Sequence, residues 1–155
     1  MYCLLLERQA KSIWWRGFFS FKKRLKHYTP FEIVEIPNIK NAKNFSKSEL
    51  LKKEVELILN QLQNADYLLL LDDKGKIFTS LGFAKKLQNW MLSGKKRLVF
   101  MVGGAYGVSD EIFKRANEQL SLSKMTFSHQ MVRLFFAEQL YRAYTSLRNE
   151  PYHHE

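Results

Sequence analysis

Two runs of uninterrupted apolar residues, YLLLL at 67–71 and LVFMV at 98–102, limit what this chain can fold into more than any other feature. A strand with one face in water alternates apolar and polar side chains, whereas a run without alternation must be covered on both faces, as in a parallel sheet between helices. DDKG at residues 72–75 closes the first run as a turn, and Gly103 follows the second at once. Between them, residues 81–91 read as a helix with Ser80 as N-cap, broken at Ser93 and Gly94. Residues 2–6 read as a short buried strand, residues 12–28 as an aromatic-rich helix, and residues 31–36 as an alternating strand stopped by Pro37. Ser46 with Glu49 forms a capping box, and Leu51, Val55, Ile58 and Leu62 then repeat at helical spacing. Strands alternating with helices predict an α/β fold with a mostly parallel sheet and helices on both faces. A length of 155 residues, 46% of them apolar, is enough for one core, and no linker or repeat interrupts it. One domain over residues 1–155 is therefore expected.

Several classes fall away on simple grounds. The apolar start reaches Glu7 after a few residues, too short for a signal-peptide core or a membrane span, so the expectation is a cytoplasmic protein without a membrane partner. Cys3 is the single cysteine and forms no intramolecular disulfide; it reads as a small buried apolar residue. His153 and His154 are adjacent without a third ligand at suitable spacing, so no metal is expected. GxSxG, HExxH and CxxC are absent, which removes the common hydrolase, zinc-protease and redox readings.

The formal charge of +10 favours a polyanionic partner. It is concentrated at the start: residues 1–53 carry twelve Lys or Arg against four Asp or Glu. There Lys22, Lys23, Arg24 and Lys26 are interleaved with Phe19, Phe21 and Tyr28, a mixture suited to an RNA backbone and equally to a solvated helix face. Reversing Lys22, Lys23 and Arg24 is expected to weaken RNA binding more than small-molecule binding.

VGGAYGVSDE places Gly103, Gly104 and Gly107 after a strand and before a helix with Ser109 as N-cap. Glycines there allow close approach of a ligand at the carboxyl edge of a parallel sheet, although a tight turn alone has the same composition. The spacing is neither a dinucleotide fingerprint nor a phosphate-binding P-loop, and Asp110 and Glu111 would repel a pyrophosphate. LSLSKMTFSHQ at 120–130 then leads into a largely apolar helix over residues 131–144. His129 and Arg133 share one face of it, with capping and solvation as their plain structural roles, and Glu138 and Arg142 are spaced for an ion pair. The tail RNEPYHHE follows with Arg148 and Tyr152 around a helix-breaking Pro151.

VGGAYG, LSLSKMTFSHQMVRLFFAEQLYRAY and NEPYHHE, in this order and with FEIVEIP and LLLDDKG before them, closely resemble the RlmH family of SPOUT-class methyltransferases. The likeness runs from about Arg24 to the C-terminus. It implies an S-adenosylmethionine-dependent enzyme that methylates N3 of a pseudouridine in helix 69 of 23S ribosomal RNA on the assembled ribosome. It also implies a homodimer with a C-terminal trefoil knot, an exception to the rule that connections do not thread. Matched motif positions imply cofactor contacts at Leu71, Gly103, Leu122, Ser123, Lys124, Met125, Thr126 and Phe127. The chain departs from the family in three places: MYCLLLERQAK lacks the usual glycine turn, Ser128 replaces a common Pro, and His154 stands where Arg or Lys is frequent.

The implied reaction needs the N3 imide proton removed and the nitrogen aligned with the methyl group. His129 or His153 is expected to handle the proton, because imidazole titrates near working pH. Arg133, Arg142 and Tyr152 are expected to grip phosphate or a base edge. Phe135 and Phe136 suit either a dimer interface or the monomer core. The competing reading is a non-catalytic ribosome- or RNA-binding factor with a vestigial cofactor pocket, which explains the charge but gives no reason for pairing the glycine loop with LSKMTF.

Overall fold

The computed structural model of the protein describes residues 1–6, 13–37, 39–103 and 107–152. Gly104, His153, His154 and the chain edge at residues 7–12 lie outside the described residues. Five strands form one sheet: β1 (Tyr2–Leu6), β2 (Glu32–Ile36), β3 (Tyr67–Ile77), β4 (Leu98–Val102) and β5 (Glu118–Ser121). Their order is β2-β1-β4-β3-β5, and every neighbouring pair is parallel. The α-helices among the described residues are α1 (Ile13–Leu25), α2 (Lys47–Leu59), α3 (Ser80–Leu92), α4 (Asp110–Arg115) and α5 (His129–Leu147).

The two apolar runs explain the layering. Alternate residues of a strand point to opposite faces, so a continuous run feeds two cores at once. Leu69 and Leu71 of β3, with Leu98, Phe100 and Val102 of β4, pack with Phe18 and Leu25 of α1, Leu87 and Trp90 of α3, and Phe136 and Leu140 of α5. The intervening Leu68, Leu70, Val99 and Met101 pack with Val55 and Ile58 of α2 and Ile112 of α4. Helices thus cover both faces. Phe100 and Phe136 are fully buried with ring centroids 4.8 Å apart, and each such side chain contributes about 1.5–3 kcal/mol through burial. Cys3 is buried in the first core, and burial pushes its thiol up to about 12, which makes it inert.

Local chemistry sets the helix ends. Ser46 and Glu49 make the capping box of α2, and the Ser109 side chain caps α4. The α3 cap is one residue earlier than the sequence suggested: Thr79 accepts from the Gly82 amide, while Ser80 begins the helix and its hydroxyl donates to Gln139 at 3.1 Å. Threonine caps nearly as well as serine, so composition did not separate the two. At the other extreme, α5 closes with a Schellman motif. Glu150 N–H donates to Thr145 O and Asn149 N–H to Ser146 O, with Asn149 left-handed at φ 55 in the place glycine usually takes.

Two segments differ from expectation. Residues 72–75 are not a terminating turn; β3 continues past them, and the β3–β5 register jumps from Leu71↔Leu120 to Lys76↔Leu120. The Asp72 carboxylate accepts from Lys74 N–H at 2.9 Å and so shapes a bulge that leaves the ladder and returns to it. Gly75 sits at the return. A Cβ there would lie 2.6 Å from the Leu120 backbone, so only glycine lets the two chains meet. β5 itself was not foreseen, because EQLS is short, begins polar and buries only Leu120 and Ser121.

Candidate active site

The β3 bulge and the carboxyl ends of β4 and β5 open into one cavity of about 500 Å³. Leu71 at the start of the β3 bulge and Val102 and Ser121 at the ends of β4 and β5 lie at its floor, Gly103, Gly107 and Val108 form one wall, and Leu122, Ser123 and residues 125–129 form the other. Gly107 has φ +82, a left-handed conformation that other residues rarely adopt. A Cβ on Gly103 would lie 2.8 Å from Val108 Cγ2, so a side chain there would press into the wall. Opposite, serines brace their own backbone: Ser121 Oγ donates to Ser123 O at 2.7 Å, and Ser123 Oγ accepts from Met125 N–H at 2.9 Å. The Phe127 ring packs against Phe135 at 5.0 Å, and Ser128 caps α5 so that His129 starts the helix at the cavity edge.

Seven of the eight residues singled out for a cofactor line this cavity: Leu71, Gly103, Leu122, Ser123, Met125, Thr126 and Phe127. Lys124 is exposed and is not among the lining residues. Asp72 and Asp73 join the lining by way of the β3 bulge. Apart from His129, they are the ionisable side chains among the described lining residues, and neither Lys nor Arg is among them, in a chain whose formal charge is +10. The sequence signal for them was LLLDD, read as a strand end rather than as part of the site.

Of the other singled-out residues, Arg133 and Arg142 lie elsewhere on α5 and Tyr152 follows its end. Arg133, one turn beyond His129, is only 2% exposed, so the solvated role open to it in the sequence is excluded and its guanidinium is part of the interior. Arg142 lies thirteen residues along the helix from His129, a rise of about 20 Å. It pairs with Glu138 at 2.5 Å and stacks over the Tyr152 ring at 4.9 Å, and the Tyr152 hydroxyl donates to Glu138 at 3.4 Å. Burial and then the Glu138 charge hold the Tyr152 phenol above its ordinary range, so it remains a donor. Phe136 belongs to the core, while Phe135 is half-buried against Phe127.

Comparison with known proteins decides the family. Residues 2–153 match the family model described as Predicted SPOUT methyltransferase. The chain belongs to that family. It is 60% identical over 136 residues to the ribosomal RNA large subunit methyltransferase H of Parabacteroides distasonis, covering 88% of this chain and 87% of that protein. The proteins of the same name from Flavobacterium johnsoniae and Christiangramia forsetii are 58% and 55% identical, covering 88% and 86% of this chain and 87% and 85% of theirs. A methyltransferase requires a methyl donor. Among the described residues, no helix is long and apolar enough to cross a membrane, and no group of three or more His, Cys, Asp or Glu is arranged to hold a metal.

Proposed function

We propose that this protein is a cytoplasmic S-adenosylmethionine-dependent methyltransferase of 23S ribosomal RNA, acting on N3 of a pseudouridine in helix 69 of the assembled ribosome. The reading includes a homodimer of single-domain subunits, each with a C-terminal trefoil knot. The observation that carries it is the chemistry of the cavity. Its volume is in the range of small-molecule sites. Leu71, Val102, Leu122 and Phe127 suit a purine face, the hydroxyls of Ser121, Ser123 and Thr126 suit a ribose, and Asp72 and Asp73 suit a cationic amino acid. A cofactor bearing phosphates would meet those carboxylates with no Lys or Arg among the described lining residues to offset them.

When bound, the donor would supply an electrophilic methyl group on a sulfonium sulfur for a nucleophilic nitrogen. His129, on the cavity wall, accepts the N3 proton so that the nitrogen lone pair is available. Arg133 lies one turn behind it on the same face and favours the anionic base electrostatically. Arg142 and Tyr152 hold the target nucleotide. A rise of about 20 Å separates them from His129 in the same subunit, so the partner subunit brings its pair to each cavity. His153, next to Tyr152 in the sequence, is the alternative proton acceptor.

Mass spectrometry of 23S ribosomal RNA from a strain lacking the gene tests the reading. One methyl group is expected to disappear from helix 69 and to return with the wild-type gene; RNA identical in both strains overturns the proposal. Calorimetry tests the cavity separately. Asp72→Asn with Asp73→Asn is expected to lower affinity for S-adenosylmethionine about tenfold, with little change for neutral S-adenosylhomocysteine. No donor binding by the wild-type protein would favour the non-catalytic RNA-binding factor.

A further inference from the structure

The basic stretch near the N-terminus and the aromatic tail, far apart in sequence, form one surface. Arg24 of α1 lies over the Tyr141 ring at 5.6 Å, Arg142 over Tyr152 at 4.9 Å, and Arg148 over Tyr28 at 4.6 Å. The tyrosines touch one another: Tyr28 meets Tyr141 edge-on at 5.7 Å, and Tyr141 meets Tyr152 edge-on at 4.8 Å. The Tyr28 hydroxyl donates to the Glu150 carboxylate, pinning the tail to the end of α1 beside the Schellman turn. That hydrogen bond, more than burial, holds the Tyr28 phenol well above its ordinary range. The carboxylates of the cluster are engaged, Glu138 with Arg142 and Glu150 with Tyr28, while Arg24 and Arg148 are exposed.

We propose that Arg24 and Arg148 are RNA-contacting residues that extend the grip of Arg142 and Tyr152 into a single arginine–tyrosine face for the ribosomal RNA backbone, with Tyr28 and Glu150 as its positioning pair. The inference rests on the ribosomal RNA substrate proposed above. A guanidinium held over a ring has already lost some of its rotamer freedom, so less is lost when it meets a phosphate. Three of them on linked rings match a run of phosphates better than an isolated point charge does.

The experiment is binding of the full-length protein to unmethylated large ribosomal subunits over a range of salt concentrations. Arg24→Gln and Arg148→Gln are each expected to weaken binding about fivefold and to reduce the slope of log affinity against log salt by about one. Lys53→Gln serves as the control, removing the same charge from α2, which packs on the opposite face of the sheet. It is expected to leave the slope nearly unchanged. Tyr28→Phe keeps the ring under Arg148 but unpins Glu150; it is expected to raise KM for subunits with little change in donor affinity. Arginine variants that behave like Lys53→Gln overturn the proposal. So does a shift from dimer to monomer in sedimentation, which would make this face a seat for a second copy. Donor binding measured by calorimetry on the same variants is expected to stay at the wild-type value, and its loss in the wild-type protein itself would sink the parent reading instead.

Discussion

The two ends of the sheet are built by opposite rules. At the amino end, side chains satisfy the backbone where strands begin. Asp66, buried ahead of β3, accepts from Gln63 N–H at 2.8 Å and pairs with Arg97 at 3.2 Å, while Arg97 also donates to Gln61 O. Arg115 donates to the carbonyls of Gln63 and Asp66, and Asn117 exchanges hydrogen bonds with the Leu68 backbone. Glu118 accepts from Tyr67 at 2.6 Å and Trp90 at 2.8 Å and pairs with Lys86 at 2.9 Å. At the carboxyl end, glycines, short hydroxyls and a strand bulge leave a cavity. The closed end determines how tightly the sheet is held, and the open end leaves room for a ligand.

Breaking the closed end is expected to have the largest effect on stability. Asp66→Ala strands Arg97 and removes the acceptor for the Gln63 amide; a loss of about 3 kcal/mol is expected by chemical denaturation, with unchanged donor affinity in the folded fraction. Reduced donor affinity at full stability would show that the two ends are not separate. Gly75→Ala is the counterpart at the open end. Its Cβ would meet the Leu120 backbone at 2.6 Å, so about 1–3 kcal/mol of stability is expected to be lost together with donor binding, because Leu120 lines the cavity.

Acid sharpens the comparison. Burial pushes the Glu118 carboxyl up, but hydrogen bonds from Tyr67, Lys86 and Trp90 outweigh it and hold the group below its ordinary value. A depressed folded-state value means that the stabilisation is complete above the ordinary glutamate range, near pH 4.3, and is lost as pH falls through the folded value. Thermal melts of wild type should therefore show an acid limb that Glu118→Gln flattens; equal limbs would remove Glu118 as its source. The smallest effect is expected at Ser128. Its φ of −61 suits proline, so Ser128→Pro exchanges a 3.4 Å cap hydrogen bond for a stiffer backbone, and a net change under about 1 kcal/mol is expected.

The cores and the start of α2 were the legible parts of the sequence; the closed end, which ties β3 to the unforeseen β5, was not. YLLLL and LVFMV declared strands covered on both faces, and the Ser46 box marked its helix start, because these signals act over a few residues. The cavity was legible in another way. Its glycine loop and LSKMTF segment stood out through family likeness, whereas Asp72, Asp73 and Ser121 depend on the β3 bulge and on β5, whose four residues carry little local signal. Arg24 and Tyr141 are more than a hundred residues apart, and no local pattern could pair them.

The strand order has a consequence for the protein during its synthesis. β5 lands on the far side of β3 from β4, and the cavity takes walls from β3, β4, β5 and the first turn of α5. A nascent chain that has not yet released residue 132 from the ribosome lacks part of the wall that the β5–α5 segment supplies. The cavity lining is thus complete only once the first turn of α5 has been made.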